Sequence, residues 1–401
     1  MNTNDTKNKR KDGKAGGRPG AGGIALLCVY YVAACCFIPA ALYLNVNEFV
    51  INIGALVMCL LSVSVMAKAA GSWRNITGYA ITVFILVFFF GAVLPVGLFA
   101  AFASATCIYA LLLVKYPSPF WWGLPIIPFA ASLFLAGNAA GVVASVATLP
   151  CALMLAYSAK KKLDRVGTVC RVSFGICAII AISFLISVYS VYGKISLEAA
   201  RTLIDELRAE VTSTLISATD RMADLMNSTD IPVGDLSAYV ESTVSSVFNL
   251  LPAMIIVISN IISYIIHSLF LSIYSTTDEE RKEMLPMLGF EMSLISAFVY
   301  LISLILAFVL VSDGLALWGA AAENIMLILA PGLIITALGA LKMITAHKGP
   351  SCFGTLIYLL VIFMLLSFSI PAILITAAAG AVVIIISHFS KKKPSDNGNR
   401  S

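Results

Sequence analysis

Charged residues are scarce in this chain of 401 residues: 12% are Asp, Glu, Lys or Arg, whereas 60% are hydrophobic. Soluble domains carry roughly twice that share of charge, about a quarter of their residues. A single soluble core stops growing at about 250–300 residues, so a soluble fold has no means of burying this much apolar surface. Intrinsic disorder is excluded because it requires low hydrophobicity. The chain is therefore predicted to be an all-α polytopic membrane protein, a bundle of helices that crosses the bilayer repeatedly.

Catalytic and cofactor-binding motifs are also missing. The sequence contains no phosphate-binding loop, dinucleotide-binding glycine fingerprint, HExxH or GxSxG, and its nine cysteines include no CxxC pair. Its three histidines, at 267, 347 and 388, have no carboxylate at the spacing of a metal site or a catalytic triad. We therefore expect no metal, no cofactor and no enzymatic activity.

Apolar stretches of about 20 residues, long enough to cross the hydrocarbon layer, mark the membrane spans. Six single spans are expected at residues 24–44, 48–67, 172–192, 250–273, 293–312 and 322–341. Three longer stretches lie at residues 77–114, 119–158 and 353–389. Each would extend over nearly two bilayers as one helix, and each contains proline or glycine near its middle. Interpreting all three as helical hairpins gives twelve spans, and ten is the alternative if short halves re-enter the membrane instead of crossing it.

The sidedness of the basic residues supports twelve spans. With the N-terminal tail in the cytoplasm, 22 of the 26 Lys and Arg residues lie on the cytoplasmic side, and the net charges are +13 inside and −8 outside. Treating any one long stretch as a single helix would move every later loop to the opposite side of the membrane and would remove this asymmetry. The positive-inside rule therefore predicts a bacterial cytoplasmic membrane protein with both termini in the cytoplasm. The basic tails are expected to contact anionic lipid and no nucleic acid.

This pattern divides the chain into five segments. They are a disordered basic tail (1–23), an N-terminal membrane bundle (24–192), an external helical hairpin (193–249), a C-terminal membrane bundle (250–389) and a basic cytoplasmic tail (390–401). The external hairpin is the segment that membrane packing alone does not explain.

The hairpin begins with an amphipathic pattern. Apolar residues recur at steps of three and four from Leu197 to Leu225, which predicts a helix of about 30 residues with Ser196 as its N-cap. Asp235 is expected to cap a second helix that continues into the span at 250. Three interpretations of the apolar face of residues 196–248 stay open: packing within the hairpin and on the outer ends of the spans, a coiled coil with a partner or a second copy, or a helix lying on lipid. The first helix has six acidic and three basic residues, which disfavours anionic lipid.

Polar side chains are concentrated in the span at 250–273. Because such residues are costly in the membrane, they usually face the interior of the bundle. Asn260, Tyr264 and His267 fall along one stripe, and Tyr300 continues it in the next span. One interpretation is the wall of a solute cavity in which His267 responds to protonation. The other is a set of interhelical hydrogen bonds that holds the bundle together.

A second candidate set lies at the outer ends of the spans. Glu48, Asp313, Glu323 and Asn324 are all placed there by the predicted topology. They are interpreted either as an acidic vestibule for a cationic solute or as residues that end their helices at the water boundary. Neither interpretation is favoured by spacing alone.

The C-terminal third has a recognisable order of segments. Asn249-Leu250-Leu251-Pro252-Ala253-Met254 leads into an apolar span, Glu323-Asn324-Ile325-Met326-Leu327 opens another, and a His347-Lys348-Gly349 turn precedes a final hydrophobic pair with a basic tail. Over about residues 240–390 this order resembles the YybS family of bacterial multipass membrane proteins. The resemblance implies that Pro252 matches the proline of that family and Asn324 its asparagine at the start of a span. The final span of this chain lacks the acidic residue that is expected near the C-terminal end of YybS proteins.

The YybS family is similar in hydropathy to the substrate-binding membrane components of energy-coupling-factor vitamin importers. The resemblance therefore implies a membrane protein that binds or transports a small solute without hydrolysing anything itself. The alternative hypothesis is a scaffold that does not transport and recruits an envelope partner through the external hairpin.

Overall fold

The computed structural model describes residues 21–70, 76–90, 96–116, 118–135, 143, 145–226, 233–274, 292–312, 316–347 and 370–391. The regular structure in these residues is entirely helical. In chain order the α-helices are α1 (Ala21–Tyr43), α2 (Glu48–Ala70), α3 (Thr77–Phe90), α4 (Val96–Lys115), α5 (Ile126–Leu135), α6 (Thr148–Lys160), α7 (Arg165–Tyr192), α8 (Leu197–Met226), α9 (Val233–Tyr274), α10 (Leu294–Ser312), α11 (Ala316–His347) and α12 (Ile370–Lys391). A 3-10 helix at Pro119–Gly123 precedes α5.

Seven of the described helices are long and apolar enough to cross a membrane, namely α1, α2, α4, α7, α9, α11 and α12. Shorter apolar helical stretches lie at Pro119–Phe134 and Leu294–Val309. The outer surface of these helices is apolar: Phe134, Ile295 and Phe308 are each at least 71% exposed. Such a surface suits lipid and not water. The predicted helical membrane bundle is confirmed.

Two of the long apolar stretches each contain more than one described helix. Residues 77–114 form α3 and α4, and residues 119–158 form the 3-10 helix, α5 and α6. The predicted turns at Pro95, Gly137 and Asn138 lie outside the described residues. The interpretation of both stretches as hairpins therefore stays a prediction.

The third long stretch, 353–389, is described only in its second half. There α12 begins at Ile370, beside the predicted break at Pro371. The helices α3, α5 and α6 have 14, 10 and 13 residues. Each is shorter than the roughly 20 residues that a single crossing needs. The choice between twelve and ten spans therefore stays a prediction.

Contacts divide the chain into two compact units. One comprises residues 1–160 and 265–284, and the other comprises residues 161–264 and 285–401. The division falls inside α9. In the first unit α4 lies at the centre, since α1, α2 and α6 all pack against it and most of its residues are buried.

The second unit has a core where α10, α11 and α12 meet. Buried side chains from all three helices form it, including Tyr300, Leu333, Ala377 and Ala381. On α12, Gly380 lies so close to α11 that an added Cβ would overlap the carbonyl group of Leu333. Small residues on α12 thus let the two backbones approach closely, as membrane helices commonly do.

The start of the external hairpin is set by local capping. Gly193 adopts a left-handed φ of 66° after α7, and its N–H donates to the carbonyl oxygen of Tyr189 at 2.8 Å. The first helix of the hairpin then starts with the N–H of Ala199 donating to Oγ of Ser196 at 3.1 Å. The resulting helix α8 is 30 residues long. Its predicted length and its predicted cap are both confirmed.

The second helix of the hairpin, α9, continues into the membrane span without interruption. It contains 42 residues, which corresponds to about 63 Å. It begins at Val233, so Asp235 lies inside the helix and the prediction that Asp235 caps its start is wrong. The physical reason is that Gly234 falls in the first turn, where backbone N–H groups have no helical partner and a glycine breaks no hydrogen bond.

Candidate functional site

The polar face of α9 lies one residue away from the predicted stripe. Ser259 and Ser263, one helical turn apart, are fully buried, whereas Asn260 and Tyr264 are only partly buried. The side-chain oxygens of Ser259 and Ser263 have no hydrogen-bond partner within the described part of the chain. Two adjacent buried hydroxyls therefore have no hydrogen-bond partner among the described residues.

Hydroxyls elsewhere in the long helices behave differently. Those of Ser183, Ser187 and Thr376 donate to the carbonyl oxygen four residues earlier, at 2.8, 3.0 and 2.6 Å. This back-bonding is the usual way to satisfy a hydroxyl inside an apolar helix. Thr106 and Ser158 also have buried side-chain oxygens without a partner in the described residues, but they lie on separate helices. The pair on α9 is therefore distinguished by its spacing on one face.

The remaining predicted residues of α9 are placed as follows. The guanidinium carbon of Arg165, at the start of α7, lies 6.0 Å from the centroid of the Tyr264 ring, a distance typical of a cation–π contact. His267 is 6% exposed and lies in the part of α9 that belongs to the first unit. Asn260 and Tyr264 thus share a unit with the two serines, and His267 does not.

Asn324 uses its side chain to join α11 to α9. Its Oδ1 accepts a hydrogen bond from the N–H of Ala253 at 3.1 Å, and its Nδ2 donates to the carbonyl oxygens of Asn249 and Ala320 at 3.0 and 2.8 Å. Both amide hydrogens are therefore used within the protein. Tyr264 lies eleven residues beyond Ala253, about 16 Å along α9. The structure thus separates Asn324 from the predicted cavity wall.

The other predicted site residues are also dispersed. Glu323, next to Asn324, is partly buried. Tyr300 is fully buried in the core of α10, α11 and α12, and its hydroxyl donates to the carbonyl oxygen of Leu374 at 3.2 Å. The side chains of Glu48 and Asp313 lie outside what the structure describes.

A set of buried tyrosines in the first unit was missed by sequence reasoning. The hydroxyl of Tyr30 donates to the carbonyl oxygen of Met58 at 3.0 Å and lies 2.8 Å from Oγ of Ser104. That of Tyr79 lies 2.6 Å from Oγ of Ser62. These bonds connect α1 with α2 and α4, and α2 with α3.

Tyr31 and Tyr109 extend the same pattern. The rings of Tyr31 and Tyr109 stack with centroids 4.7 Å apart, and the hydroxyl of Tyr31 lies 3.1 Å from Oγ1 of Thr148. Tyr30 and Tyr31 are neighbours in α1, whereas Tyr79 and Tyr109 lie in α3 and α4. No spacing in the sequence indicates that these four residues lie close together. Because their hydroxyls all have partners, we interpret this set as the interhelical hydrogen bonding that holds the first unit together.

Comparison with known families adds one match. The family described as a predicted membrane protein, DUF2232, matches residues 80–381, about three quarters of the chain. The chain belongs to this family. The DUF2232 match extends from α3 to α12 and therefore includes both the serine pair of α9 and the Asn324 contact. No curated protein and no solved structure matches the chain.

Proposed function

We propose that this DUF2232 protein binds a small polar solute within the membrane and moves it across, without a chemical step. The observation that carries the proposal is the pair of fully buried hydroxyls, Ser259 and Ser263, whose oxygens have no partner in the described residues. A buried polar group without a hydrogen bond costs about 1–3 kcal/mol. A solute that bonds to both hydroxyls would recover that cost.

The neighbouring residues suit such a site. Asn260 and Tyr264, also one turn apart, are partly buried beside the serines and add an amide and a phenol as hydrogen-bonding groups. A cationic solute is disfavoured, because Ser259, Asn260, Ser263 and Tyr264 include no carboxylate.

Two further arguments support the proposal. The order of segments over residues 240–390 resembles the YybS family, and through it the substrate-binding components of vitamin importers. The distribution of basic residues supports a location in a bacterial cytoplasmic membrane with both termini in the cytoplasm.

The test is thermal stabilisation of the purified protein by a panel of vitamins, nucleosides and amino acids. A ligand that binds only the folded state raises the melting temperature by mass action. We expect at least one class of these solutes to stabilise the protein and the double variant Ser259→Ala, Ser263→Ala to lose this response while remaining folded.

A matched control is available on α7. Ser183 and Ser187 are also one turn apart, but their hydroxyls bond to their own helix. The variant Ser183→Ala, Ser187→Ala should therefore keep the full response to the solute. If the two double variants responded to the solute equally, the proposal that Ser259 and Ser263 bind it would be wrong.

A second candidate function, a scaffold that recruits a partner, is favoured by the surface of α8. Leu207, Val211 and Leu215 are 43%, 40% and 44% exposed along one face of this helix. On another face, the guanidinium carbon of Arg208 lies 5.4 Å from the centroid of the Phe248 ring of α9. The hairpin therefore covers only part of the apolar surface of α8, and we propose that the uncovered face is where a partner would bind.

A further inference from the structure

A cavity of about 500 Å³ lies in the first unit where α4 and α6 end. We call it the α4–α6 cavity. Its described lining consists of two tryptophans, a tyrosine, a lysine, a serine and small or aliphatic residues: Leu113, Ser118, Pro119, Trp121, Trp122, Leu153, Ala156, Tyr157 and Lys160. None of these residues belongs to the serine pair of α9, so the cavity is independent of the proposed solute site.

One wall of the α4–α6 cavity is held in place by local hydrogen bonds. Ser118 caps the 3-10 helix by accepting the N–H of Phe120 at 3.3 Å. The indole N–H of Trp121 donates to the carbonyl oxygen of Tyr116, and the carbonyl oxygen of Trp121 accepts the hydroxyl of Tyr109 at 3.0 Å. The wall is therefore pre-formed, which lowers the entropy cost of binding a ligand.

The charge of the lining points to an anionic ligand. Lys160 is the single charged residue among the nine described lining residues, and no carboxylate accompanies it. Lys160 is exposed at the last turn of α6. An exposed ammonium group there can bind an anion from outside the protein.

The rest of the lining points to an amphiphile. Trp122 is 62% exposed and Tyr157 is 52% exposed, while Leu113, Leu153 and Ala156 form apolar walls. Tryptophan, tyrosine and lysine at the end of an apolar helix are typical of the boundary between hydrocarbon and headgroups. A ligand that fills this site needs an anionic group at Lys160 and an apolar portion between the tryptophan and leucine side chains.

We propose that the α4–α6 cavity binds an anionic phospholipid, with its phosphate at Lys160 and the first part of its acyl chains against Trp122 and Leu153. A soluble phosphate compound would satisfy Lys160 but would leave the apolar walls in contact with water. The apolar lining therefore favours the lipid as the source of the phosphate group.

The experiment uses the full-length chain in lipid nanodiscs and the fluorescence of Trp121 and Trp122. The chain has four tryptophans, so Trp73→Phe and Trp318→Phe leave only the two in the cavity. Phosphatidylglycerol and phosphatidylcholine, each brominated in the acyl chains, serve as quenching probes. We expect stronger quenching by the anionic lipid, and we expect Lys160→Met to lower that preference about fivefold, the effect of removing one basic residue near a membrane surface.

Two control variants separate the cavity from general surface charge. Lys161→Met removes the neighbouring exposed lysine, which does not line the cavity, and should keep the preference. Lys160→Arg retains the positive charge and should keep it too. Equal quenching by the two lipids, or an unchanged preference in Lys160→Met, would overturn the proposal. Displacement of the lipid by inorganic phosphate alone would also overturn it, since it would identify a soluble phosphate as the ligand.

Discussion

Asn324 of α11 hydrogen-bonds to α9 immediately beyond Pro252. Its side-chain amide accepts the N–H of Ala253 at 3.1 Å and donates to the carbonyl oxygen of Asn249 at 3.0 Å. These two backbone groups, four residues apart, are the pair that forms one rung of an α-helix. One amide side chain thus bonds both members of a single rung.

The position of Pro252 explains why this contact is useful. A proline inside a helix has no N–H to donate and its ring crowds the carbonyl group four residues earlier, which weakens the helix locally. Pro252 lies inside α9, in a chain where lipid offers no replacement hydrogen bonds. Asn324 supplies donors and an acceptor at the adjacent rung and fixes α11 against α9 at the same time.

We therefore expect Asn324→Leu to destabilise the protein by about 1–3 kcal/mol, the combined net contribution of its two hydrogen bonds to α9. In a Pro252→Ala background the loss should be smaller, because α9 then regains a regular hydrogen-bonding pattern. Unfolding of the purified protein in a denaturing detergent, followed by circular dichroism, measures both effects. The neighbouring variant Glu323→Gln is the control, and an equal loss from Asn324→Leu in the two backgrounds would contradict the argument.

A second prediction concerns the contact between Gly380 and Leu333. A methyl group at Gly380 would overlap the carbonyl group of Leu333, so α11 and α12 would have to separate. Overpacking of this kind costs about 1–3 kcal/mol, more than the roughly 1 kcal/mol that alanine gains over glycine inside a helix. Gly380→Ala should therefore lower the melting temperature. Gly22→Ala, at a helical glycine with no neighbour within 4 Å, should not lower it.

Much of the fold follows from hydropathy and local capping. Long apolar stretches place the helices because a bilayer admits only elements that satisfy their own backbone. The start of α8 was predictable because Ser196 and the following apolar steps are local signals. The start of α9 was misplaced because Gly234 is a breaker only in the interior of a helix, and the sequence alone does not say where the interior begins.

The candidate site was less accessible from the sequence. The stripe of α9 was predictable because polar residues in an apolar span are conspicuous. The fully buried face, however, carries Ser259 and Ser263, one position away from Asn260 and Tyr264. Which side of a nearly all-apolar helix faces the protein depends on the helices that pack there. The bonds of Asn324 and the α4–α6 cavity likewise arise between residues distant in sequence.

Tyr300 offers a third prediction, which separates packing from solute binding. Its hydroxyl bonds to the backbone of α12 at Leu374 and its ring is fully buried. Tyr300→Phe should therefore cost about 1 kcal/mol of stability, the typical net worth of one hydrogen bond. The gain in melting temperature caused by a stabilising solute should stay unchanged. If Tyr300→Phe instead abolished the response to the solute without lowering stability, Tyr300 would be part of the binding site.

The exposed face of α8 gives a fourth prediction. A photo-crosslinking amino acid at Val211, on the apolar face, should form a discrete adduct with another protein or with a second copy of the chain. The same group at Ser213, which is exposed on a different face of α8, should not, because two residues along a helix turn the side chain by about 200°. Equal adducts at both positions would contradict a specific face, and adducts with lipid alone from Val211 would identify an interfacial helix.

The last prediction tests the topology on which both proposals depend. In a cysteine-free background, single cysteines at Pro95 and Asn138 should react with a membrane-impermeant maleimide in intact cells, because twelve spans place both predicted turns outside. Asn45, exposed between α1 and α2, is the positive control, and Lys162, exposed between α6 and α7, is the negative control.

A cysteine at Asn138 that reacts only after the cells are permeabilised would show that the segment containing α5 and α6 re-enters the membrane without crossing it. Since α5 and α6 are short, that result would reduce the number of spans without changing the side of any later loop. A cysteine at Lys162 that reacts in intact cells would reverse the sidedness, and the positive-inside argument would then fail.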